Sequence, residues 1–551
     1  MTYKDIYKEW INNPNLDMEN KSILTTMNDN DIKEAFHKDL EFGTGGLRGL
    51  MGPGTNRINI YIVRKVTQGI ANYLIANNTY TNGVAISYDN RLNSKVFALE
   101  VAGVFAANNI KSFLFNELRP TPVLSYAVRH FNADAGVMIT ASHNPKEYNG
   151  YKVYNKQGSQ VNLDESNLII NSIAKVNDMF TIKSKTNSDL IKHIYEDFDE
   201  IYLNEVKSIR INQTNTSIKA VYSPLHGTGG TIIPKLAKQE GYDFHPLKSQ
   251  MIVDPNFANT LSSNPEDDSA YIESIKYANE IGAEIVLLTD PDADRLGIAV
   301  KHNSEFVLIN GNQTAALMVN YILDEKQKQN ILPKNGVVYT TVVSTNLIKD
   351  IAESYHTKVI STLTGFKFIG EQAELNKDKY TYLFGSEESY GSLVSPFVRD
   401  KDAVQAVYLL LEIASVLKQS NLTIVDYLKN IYEKYFYYYE STKNITLSGI
   451  EGAKKINSIM DYVRNNNLEI SNYQVLGKDD FLNKTYYEVP EVELPTSNVI
   501  KFHYNNGLIV IFRPSGTEPK LKIYYSIKSE SNNSLDQLID NIHKKIMKEI
   551  L

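Results

Sequence analysis

The run Ser217-Ile218-Lys219-Ala220-Val221-Tyr222 predicts a β-strand, and the run Ser223-Pro224-Leu225-His226-Gly227-Thr228-Gly229-Gly230 that follows predicts a turn. A helical pattern then continues to about Glu240. A strand, a turn rich in Gly and Ser, and a helix in this order form the unit from which α/β folds are built. The stretch therefore predicts an α/β fold for this part of the chain.

The same order recurs along the chain. Further apolar runs predict strands at Ala135 to Ile139, Ala283 to Thr289, Gly336 to Val343, Thr381 to Phe384 and Gly507 to Phe512, and a helix is predicted over Leu347 to Tyr355. Ligands of open α/β sheets bind at the carboxyl ends of the strands. The most polar clusters of this sequence follow the predicted strands, so we expect a functional site there.

Composition limits the class of protein. The chain has 551 residues, which corresponds to roughly four domains. It has 57 Lys and Arg against 64 Asp and Glu, a net charge of −7, and no Cys. The absence of Cys excludes thiolate catalysis and Cys-bound zinc. The weakly negative net charge gives the protein no general attraction for nucleic acid or anionic membranes. No apolar run approaches the roughly 18 residues of a membrane span, and Met1 to Asp5 does not begin a secretory signal. We expect a cytoplasmic protein with no nucleic-acid, membrane or protein partner implied.

The first chemical motif is Thr140-Ala141-Ser142-His143-Asn144-Pro145. It places a Ser on a stiff turn after a predicted strand. A hydrolase triad is disfavoured because Ser142 and His143 are adjacent and no G-x-S-x-G elbow surrounds the Ser. The alternative is a plain loop with an Asn-Pro turn.

The second motif is Asp290-Pro291-Asp292-Ala293-Asp294-Arg295. Three carboxylates on one short loop repel one another unless a cation lies between them. Hard oxygen ligands suit Mg²⁺ or Ca²⁺, but a calcium loop fails because Arg295 stands at position six and Lys301 at position twelve. The motif favours Mg²⁺ over a solvated acidic turn.

Three further motifs combine Gly with polar side chains. Arg513 to Lys520 offers donors for a phosphate and is not a Walker loop. Gly385 to Gly391 places carboxylates and hydroxyls between glycines, where they could bind sugar hydroxyls. Phe42 to Gly49 is rich in Gly but has Arg48 in the third slot of G-x-G-x-x-G, which disfavours a dinucleotide site. A surface turn, an acidic loop cap and a flexible turn are the respective alternatives.

The four motifs of Ser142, Asp290, Gly385 and Arg513, in this order, resemble the signature loops of the α-D-phosphohexomutases. The resemblance extends from Phe42 to Lys522 and is greatest to the phosphoglucomutase branch that also contains phosphopentomutases. It implies three similar mixed α/β domains and a smaller C-terminal α+β phosphate-binding domain around a central cleft. We predict the domain boundaries 1–210 (phosphoserine loop), 211–304 (metal loop), 305–436 (sugar loop) and 437–551 (phosphate loop).

The resemblance also implies the roles of individual residues. Ser142 is the expected phosphoserine, and one of its phosphate oxygens joins the carboxylates of Asp290, Asp292 and Asp294 around Mg²⁺. The other expected substrate contacts are Glu387 and Ser389 for sugar hydroxyls, Arg513, Ser515, Gly516 and Thr517 for the phosphate that is not transferred, and Arg295 and Lys367 near the substrate. The candidate general acids and bases are Arg48, His143, Lys152 and Lys401. Of these, Lys152 and Lys401 match positions that the family places near the active site, and a solvated charge is the alternative for each.

The implied reaction is the interconversion of glucose 1-phosphate and glucose 6-phosphate, with glucose 1,6-bisphosphate as intermediate and activator. Two alternatives keep the machinery: a phosphopentomutase and a glucose-1,6-bisphosphate synthase. A third is a non-catalytic sugar-phosphate binding protein.

Overall fold

The computed structural model describes residues 1–43, 45–213, 216–447, 449–470, 472–515 and 520–550. The chain divides into two compact units, each assembled from pieces that are distant in sequence. Unit 1 comprises Met1–Gly311, Phe366–Asp378 and Ser389–Thr423, and unit 2 comprises Asn312–Gly365, Lys379–Glu388 and Ile424–Leu551.

The strands are β1 (Gly46–Leu50), β2 (Val84–Tyr88), β3 (Ser112–Phe115), β4 (Ala135–Ile139), β5 (Tyr148–Asn155), β6 (Ile191–Ile194), β7 (Lys219–Ser223), β8 (Asp243–Pro246), β9 (Ile285–Thr289), β10 (Leu296–His302), β11 (Glu305–Ile309), β12 (Gly336–Thr341), β13 (Lys358–Thr362), β14 (Thr381–Ser386), β15 (Ser392–Leu393), β16 (Tyr437–Thr446), β17 (Val475–Asp480), β18 (Ile500–Tyr504), β19 (Leu508–Pro514) and β20 (Lys520–Ser529).

The α-helices are α1 (Tyr3–Ile11), α2 (Met18–Thr26), α3 (Asp29–Phe36), α4 (Ile60–Ala76), α5 (Ser94–Ala107), α6 (Thr121–His130), α7 (Leu163–Ala174), α8 (Asp197–Lys207), α9 (Ile233–Gln239), α10 (Lys248–Met251), α11 (Ile272–Ile281), α12 (Gly311–Lys328), α13 (Leu347–Ser354), α14 (Phe366–Leu375), α15 (Ala403–Gln419), α16 (Ile424–Tyr435), α17 (Gly449–Asn465) and α18 (Leu535–Ile550).

The first sheet of unit 1 has the strand order β1-β5-β4-β2-β3-β6. β4, β2, β3 and β6 run parallel, whereas β5 and β1 are antiparallel to their neighbours. Every residue of β2 and β4 is buried, as expected for central parallel strands in an α/β sheet. Helices α4 and α5 share one apolar core with these strands, and this core fixes where the loop after β4 begins.

The second sheet of unit 1 has the order β11-β10-β9-β7-β8. β7 is parallel to β8 and β9, and β10 and β11 continue the sheet in antiparallel fashion. β9 is buried along its whole length. Its carboxyl end therefore delivers the following acidic loop from a rigid position.

The stretch around β7 agrees with the prediction. The strand is observed at Lys219–Ser223, the Gly-rich segment forms a turn that includes a 3₁₀ helix at Thr228–Thr231, and α9 is the predicted helix, ending at Gln239. Pro234 lies in the first turn of α9, where its missing N–H costs nothing. Because glycine is a poor helix former, the preceding Gly-rich segment stays outside the α-helix.

Unit 2 contains the parallel strands β13-β12-β14 and an antiparallel sheet of order β16-β20-β19-β18-β17. Apolar side chains of α17 and α18 cover one face of the antiparallel sheet. The α/β class predicted from the sequence is confirmed by these mixed sheets and their helices. Within the described residues, no helix combines the length and the apolar character that crossing a membrane requires.

Candidate active site

Ser142 lies in the loop after β4, at the carboxyl end of that strand. Its φ of 51° is in the left-handed region, which residues with a Cβ seldom adopt. The N–H of Ser142 donates to Thr140 Oγ1 at 2.8 Å, and Ser142 is 3% exposed. The hydroxyl is therefore held at a defined place on the sheet edge.

Asp290 follows β9 directly and approaches Ser142 from the second sheet of unit 1. The hydroxyl Oγ of Ser142 donates to Asp290 Oδ2 at 2.8 Å. These two residues are 148 positions apart in the chain. Two of the loops singled out in the sequence thus meet in one direct contact.

Asp290, Asp292 and Asp294 are all buried, and one carboxylate oxygen from each lies within 4.8 Å of the others. Asp290 Oδ1 accepts the backbone N–H groups of Asp294 and Arg295, each at 3.0 Å. Oδ1 of Asp292 and Oδ1 of Asp294 are buried and accept no hydrogen bond. Carboxylate oxygens in this state are costly unless a cation approaches them. The donor set consists of hard oxygens and fits Mg²⁺.

Two lysines lie against the acidic trio. Lys152, on β5, has its Nζ 2.6 Å from Asp292 Oδ2 and 3.2 Å from Asp294 Oδ2. Lys401 Nζ is 3.2 Å from Asp294 Oδ2 and 3.2 Å from Asp400 Oδ1. The lysines offset part of the negative charge that the trio concentrates in a buried place.

The pKa values of Asp290 and Asp294 are shifted in opposite directions. Burial raises the pKa of Asp290 well above its usual range, and the charges of Asp294 and Asp292 raise it further. Burial also raises the pKa of Asp294, but Lys401 and Lys152 outweigh it and bring that pKa below its usual range. Asp290 is therefore the member of the trio that gains most from a further cation.

His143 and Arg48 lie beside the Ser142 loop. His143 Nδ1 is 3.2 Å from Ser142 Oγ. Burial lowers the pKa of His143 well below its usual value, and the cations of Arg295 and Arg48 lower it further, so the ring is neutral at pH 7. Arg48, on β1, donates from Nη1 to Asn144 Oδ1 at 2.8 Å.

Arg295 closes the acidic loop. Its Nη1 donates to Glu266 Oε1, and its Nε lies 3.9 Å from Asp294 Oδ1. Arg295 also forms an isolated β-bridge with Gly391. Its expected contact with substrate stays a prediction.

Glu387 of the predicted sugar loop directly follows β14 in unit 2. Its Oε1 accepts the N–H of Gly365 at 2.9 Å. Burial raises the pKa of the next residue, Glu388, to about 7, and the charge of Glu387 adds to this rise. Glu387 is buried and has a backbone donor as its partner, whereas Glu388 is half-buried.

Lys367 and Ser389 belong to unit 1. Burial lowers the pKa of Lys367 to about 8, and its Nζ lies 4.9 Å from the ring centre of Phe368. Ser389 is half-buried. Their expected contacts with the sugar phosphate stay predictions.

Arg513 lies near the end of β19 in unit 2, and its Nη1 donates to the hydroxyl of Tyr524 at 3.2 Å. Ser515 follows that strand directly. Gly516 and Thr517, the other two predicted phosphate contacts, lie outside the described residues.

Two residues at the acidic trio escaped the reasoning from sequence. Thr121 donates from Oγ1 to Asp292 Oδ2 at 2.8 Å, and Asp400 reaches the trio through Lys401, whose Nζ lies between Asp400 Oδ1 and Asp294 Oδ2. The charged run around Lys401 was a usable signal for Asp400. The sequence around Thr121 carries none, because its contact depends on how the two sheets of unit 1 pack.

Comparisons with known proteins show what the chain is similar to. Four family models of phosphoglucomutase/phosphomannomutase match the chain: α/β/α domain I at residues 39–179, α/β/α domain II at 200–303, α/β/α domain III at 310–435 and the C-terminal domain at 471–540. The predicted order of three α/β domains and one C-terminal domain is thereby confirmed.

Individual proteins resemble the chain over most of its length. A phosphoglucomutase of Staphylococcus aureus (strain MRSA252) is 37% identical over 544 residues, which are 96% of this chain and 97% of that protein. The structure of a putative phosphomannomutase from Thermus thermophilus matches with a TM-score of 0.70 at 20% identity, over 93% of this chain and 99% of that one. Parafusin, a phosphoglucomutase from Paramecium, matches with a TM-score of 0.68 at 18% identity, over 92% and 95% of the two chains.

The two structures support the fold, and the family models and the bacterial relative carry the assignment. On this evidence the chain belongs to the phosphoglucomutase/phosphomannomutase family.

Proposed function

We propose that this protein interconverts glucose 1-phosphate and glucose 6-phosphate through a phosphoserine at Ser142. The observation that carries the proposal is the 2.8 Å contact from Ser142 Oγ to Asp290 Oδ2. It brings a hydroxyl on a fixed turn against a loop suited to a divalent cation. The bacterial relative at 37% identity is a phosphoglucomutase, which favours this hexose reaction over a pentose mutase or a bisphosphate synthase.

Two phosphoryl transfers make up the reaction. In the first, the bond from phosphorus to Ser142 Oγ breaks, and phosphorus bonds to the free hydroxyl of the sugar phosphate. The proton of that hydroxyl passes to a base and then to Ser142 Oγ. The product is glucose 1,6-bisphosphate, which turns over and returns its other phosphate to Ser142 by the reverse steps. Such transfers need mainly positioning and charge neutralisation.

The proton requires a group that can both accept and return it. His143 supports this role because its ring is neutral and lies 3.2 Å from Ser142 Oγ. Lys152 is less suited: burial lowers its pKa, but Asp292 and Asp294 raise it more, so the amine stays charged. Lys401 remains a second candidate, and Arg48 is suited to holding charge because a guanidinium does not deprotonate.

Mg²⁺ is the cation that we assign to Asp290, Asp292 and Asp294, with an oxygen of the phosphorylated Ser142 as a further ligand. When bound, the ion neutralises charge on the phosphoryl oxygens. The protein contributes the buried trio, whose unpartnered Oδ1 atoms are those of Asp292 and Asp294.

The substrate contacts in this proposal come from several loops. Paired donors and a guanidinium fork suit a phosphate, and a carboxylate with a hydroxyl suits vicinal sugar hydroxyls. We assign the sugar to Glu387 and Ser389, the retained phosphate to Arg513, Ser515, Gly516 and Thr517, and further substrate contacts to Arg295 and Lys367.

We also keep the domain boundaries 1–210, 211–304, 305–436 and 437–551 as a proposal. Glucose 1,6-bisphosphate is proposed as activator because it phosphorylates Ser142 directly. The proposed place of action is the cytoplasm, since sugar phosphates are too highly charged to cross a lipid bilayer unaided.

A coupled assay tests the proposal. Purified protein is supplied with glucose 1-phosphate, Mg²⁺ and glucose 1,6-bisphosphate, and formation of glucose 6-phosphate is followed. We expect Ser142→Ala to lower kcat by about 10³-fold or more, the scale of losing a catalytic nucleophile. Intact mass should show one phosphate on the wild type and none on the variant.

The matched control is Ser112→Ala. Ser112 is a buried serine on β3 of the same sheet, and its Oγ has no hydrogen-bond partner, so this variant should keep wild-type activity. Full activity of Ser142→Ala would refute the phosphoserine. Faster turnover of ribose 1-phosphate than of glucose 1-phosphate would select the pentose reaction, and sugar-phosphate binding without turnover would select a binding protein.

A further inference from the structure

Arg91 follows β2 on the same sheet edge as Ser142. β2 and β4 are parallel neighbours, with Tyr88 paired to Ile139, so the loops after both strands leave the sheet side by side. The side chains of Arg91 and Asp89 are completely buried. A buried ion pair at this edge calls for a specific task, because burying charge is costly.

The guanidinium of Arg91 contacts the backbone of the Ser142 loop at four points. Nη2 donates to the carbonyl oxygens of Ser142 and Asn144, each at 2.5 Å. Nη1 donates to the carbonyl oxygens of Pro145 and Tyr148 at 2.8 and 3.0 Å. One rigid planar group therefore binds the backbone of this turn from Ser142 to Tyr148, the first residue of β5.

Arg91 is itself fixed. Its Nε lies 3.2 Å from Asp89 Oδ2, and Asp89 Oδ1 accepts the hydroxyl of Ser94 at 2.7 Å and the N–H of Arg91 at 2.9 Å. The ring of Phe257 lies 5.3 Å from the guanidinium carbon. The guanidinium of Arg91 is therefore held in one orientation, and its hydrogen bonds fix the position of the Ser142 loop.

We propose that Arg91 is a positioning residue, which holds Ser142 in its left-handed backbone conformation and thereby keeps Oγ in place against Asp290. The inference rests on the proposed function, in which Ser142 carries the phosphoryl group. Ser142 has a φ of 51°, and such a conformation persists only when surrounding contacts impose it. The four carbonyl contacts of Arg91 supply that restraint.

A lysine cannot replace this arrangement. Its ammonium is a compact point charge with three donors, whereas the guanidinium presents five donors in a fixed fork. Arg91→Lys keeps the positive charge next to Asp89, but a single ammonium group cannot reach all four carbonyl oxygens that the guanidinium contacts. The variant therefore separates the effect of geometry from the effect of charge.

The test compares Arg91→Lys, Arg91→Ala and Asp89→Asn with the wild type in two measurements. The first is kcat and KM for glucose 1-phosphate at saturating Mg²⁺ and glucose 1,6-bisphosphate. The second is amide hydrogen exchange of the free protein, read for residues 142–148 and for the rest of unit 1.

For Arg91→Lys we expect kcat to fall by about 10²-fold, the scale of a small misplacement of a reacting group, with KM changed less than about threefold. Exchange in residues 142–148 should become at least about tenfold faster, while β2 and β9 keep their protection. Arg91→Ala should be at least as impaired. Asp89→Asn removes the charge that pairs with Arg91 but keeps the guanidinium itself. It should therefore shift both measurements in the same direction by less.

Arg64→Lys is the matched control. Arg64 pairs with Glu100 at 2.8 Å between α4 and α5 of the same unit and does not contact the Ser142 loop. It should keep kcat within twofold and leave residues 142–148 unchanged.

The inference is overturned if Arg91→Lys folds with wild-type kcat, or if its faster exchange spreads evenly over unit 1. A wild type without mutase activity would refute the proposed function alone. The exchange of residues 142–148 would still decide whether Arg91 fixes the loop.

Discussion

At the scale of single residues, Glu440 shows how burial sets the protonation of a side chain far from the acidic trio in sequence. It lies on β16 and lines a cavity of about 30 Å³ within unit 2, together with Glu388. Its Oε1 is buried without a hydrogen-bond partner. Burial raises the pKa of Glu440 to about 7. The residue is therefore protonated in the folded protein over a range where the unfolded chain ionises it.

This predicts a pH-dependent stability of unit 2. Because the folded pKa is raised, the contribution of Glu440 is complete below its ordinary value of 4.5 and is lost as the pH rises through about 7. Glu440→Gln removes the titrating group, so relative to the wild type it should gain about 1–3 kcal/mol in unfolding free energy between pH 5 and pH 8. Hydrogen exchange of β16 to β20 at both pH values measures this change.

Glu433→Gln serves as control for the Glu440 experiment. The side chain of Glu433 is 60% exposed, with its partner Lys429 4.0 Å away, and its replacement should leave the pH dependence of unit 2 as it is. Parallel pH profiles for Glu440→Gln and the wild type would contradict the prediction.

The residues that sequence alone could identify are those whose chemistry lies in a compact motif. The acidic trio was found because three carboxylates share one short loop, and Ser142 because it stands on a turn after a strand. Arg91 and Glu440 were not found, because their surroundings are made by β2 meeting β4 and by β16 meeting the loop after β12. Such contacts depend on tertiary packing, which one-dimensional spacing does not contain.

At the scale of elements, the loop after β7 supports the acidic loop after β9. Thr228 donates from N and from Oγ1 to the carbonyl oxygen of Pro291, at 2.8 and 3.0 Å. A Cβ added at Gly227 would lie 2.4 Å from Pro291 Cα. A side chain at position 227 would overlap the backbone of Pro291, so this position requires glycine.

Gly227→Ala should therefore displace the acidic loop. We expect the Mg²⁺ concentration for half-maximal activity to rise and kcat to fall by about tenfold to 10²-fold, because a misplaced site loses orientation. Gly282→Ala is the control: its φ is 69°, but nothing lies within 4 Å of the added Cβ. It should cost about 1 kcal/mol of stability with unchanged activity, and equal Mg²⁺ dependence in both variants would disprove the steric argument.

Elements were predictable where the apolar run was short and bounded. The strand at residues 135–139 is observed with the predicted limits, and helix α13 ends one residue before its predicted end. The strand order was beyond reach, because β6 pairs with β3 although 75 residues of chain separate Phe115 from Ile191. Hydrophobic periodicity reports which face is buried but not which strand lies beside it.

At the scale of the whole molecule, the proposed metal ligands are confined to unit 1. Ser142 and the acidic trio all belong to it, whereas Glu387 and Arg513 belong to unit 2. A ligand stabilises the structure that binds it, by about 2.7 kcal/mol when present at a hundred times its Kd. Metal binding should therefore act on local opening in one unit before it acts on the other.

We expect added Mg²⁺ to slow amide exchange in residues 140–148 and 285–296, and to leave β16 to β20 unchanged. The physical reason is that the folded loops hold three carboxylates that repel one another, and a bound ion offsets this repulsion only while the loops stay in place. Asp292→Asn should weaken the response, while Asp268→Asn, which changes an exposed acid of the same unit, should preserve it. If exchange in both loops ignored Mg²⁺, or if Asp292→Asn responded like the wild type, the trio would not be the metal site. The buried carboxylates would then have to be stabilised by Lys152, Lys401 and the hydrogen bonds that they accept within the protein.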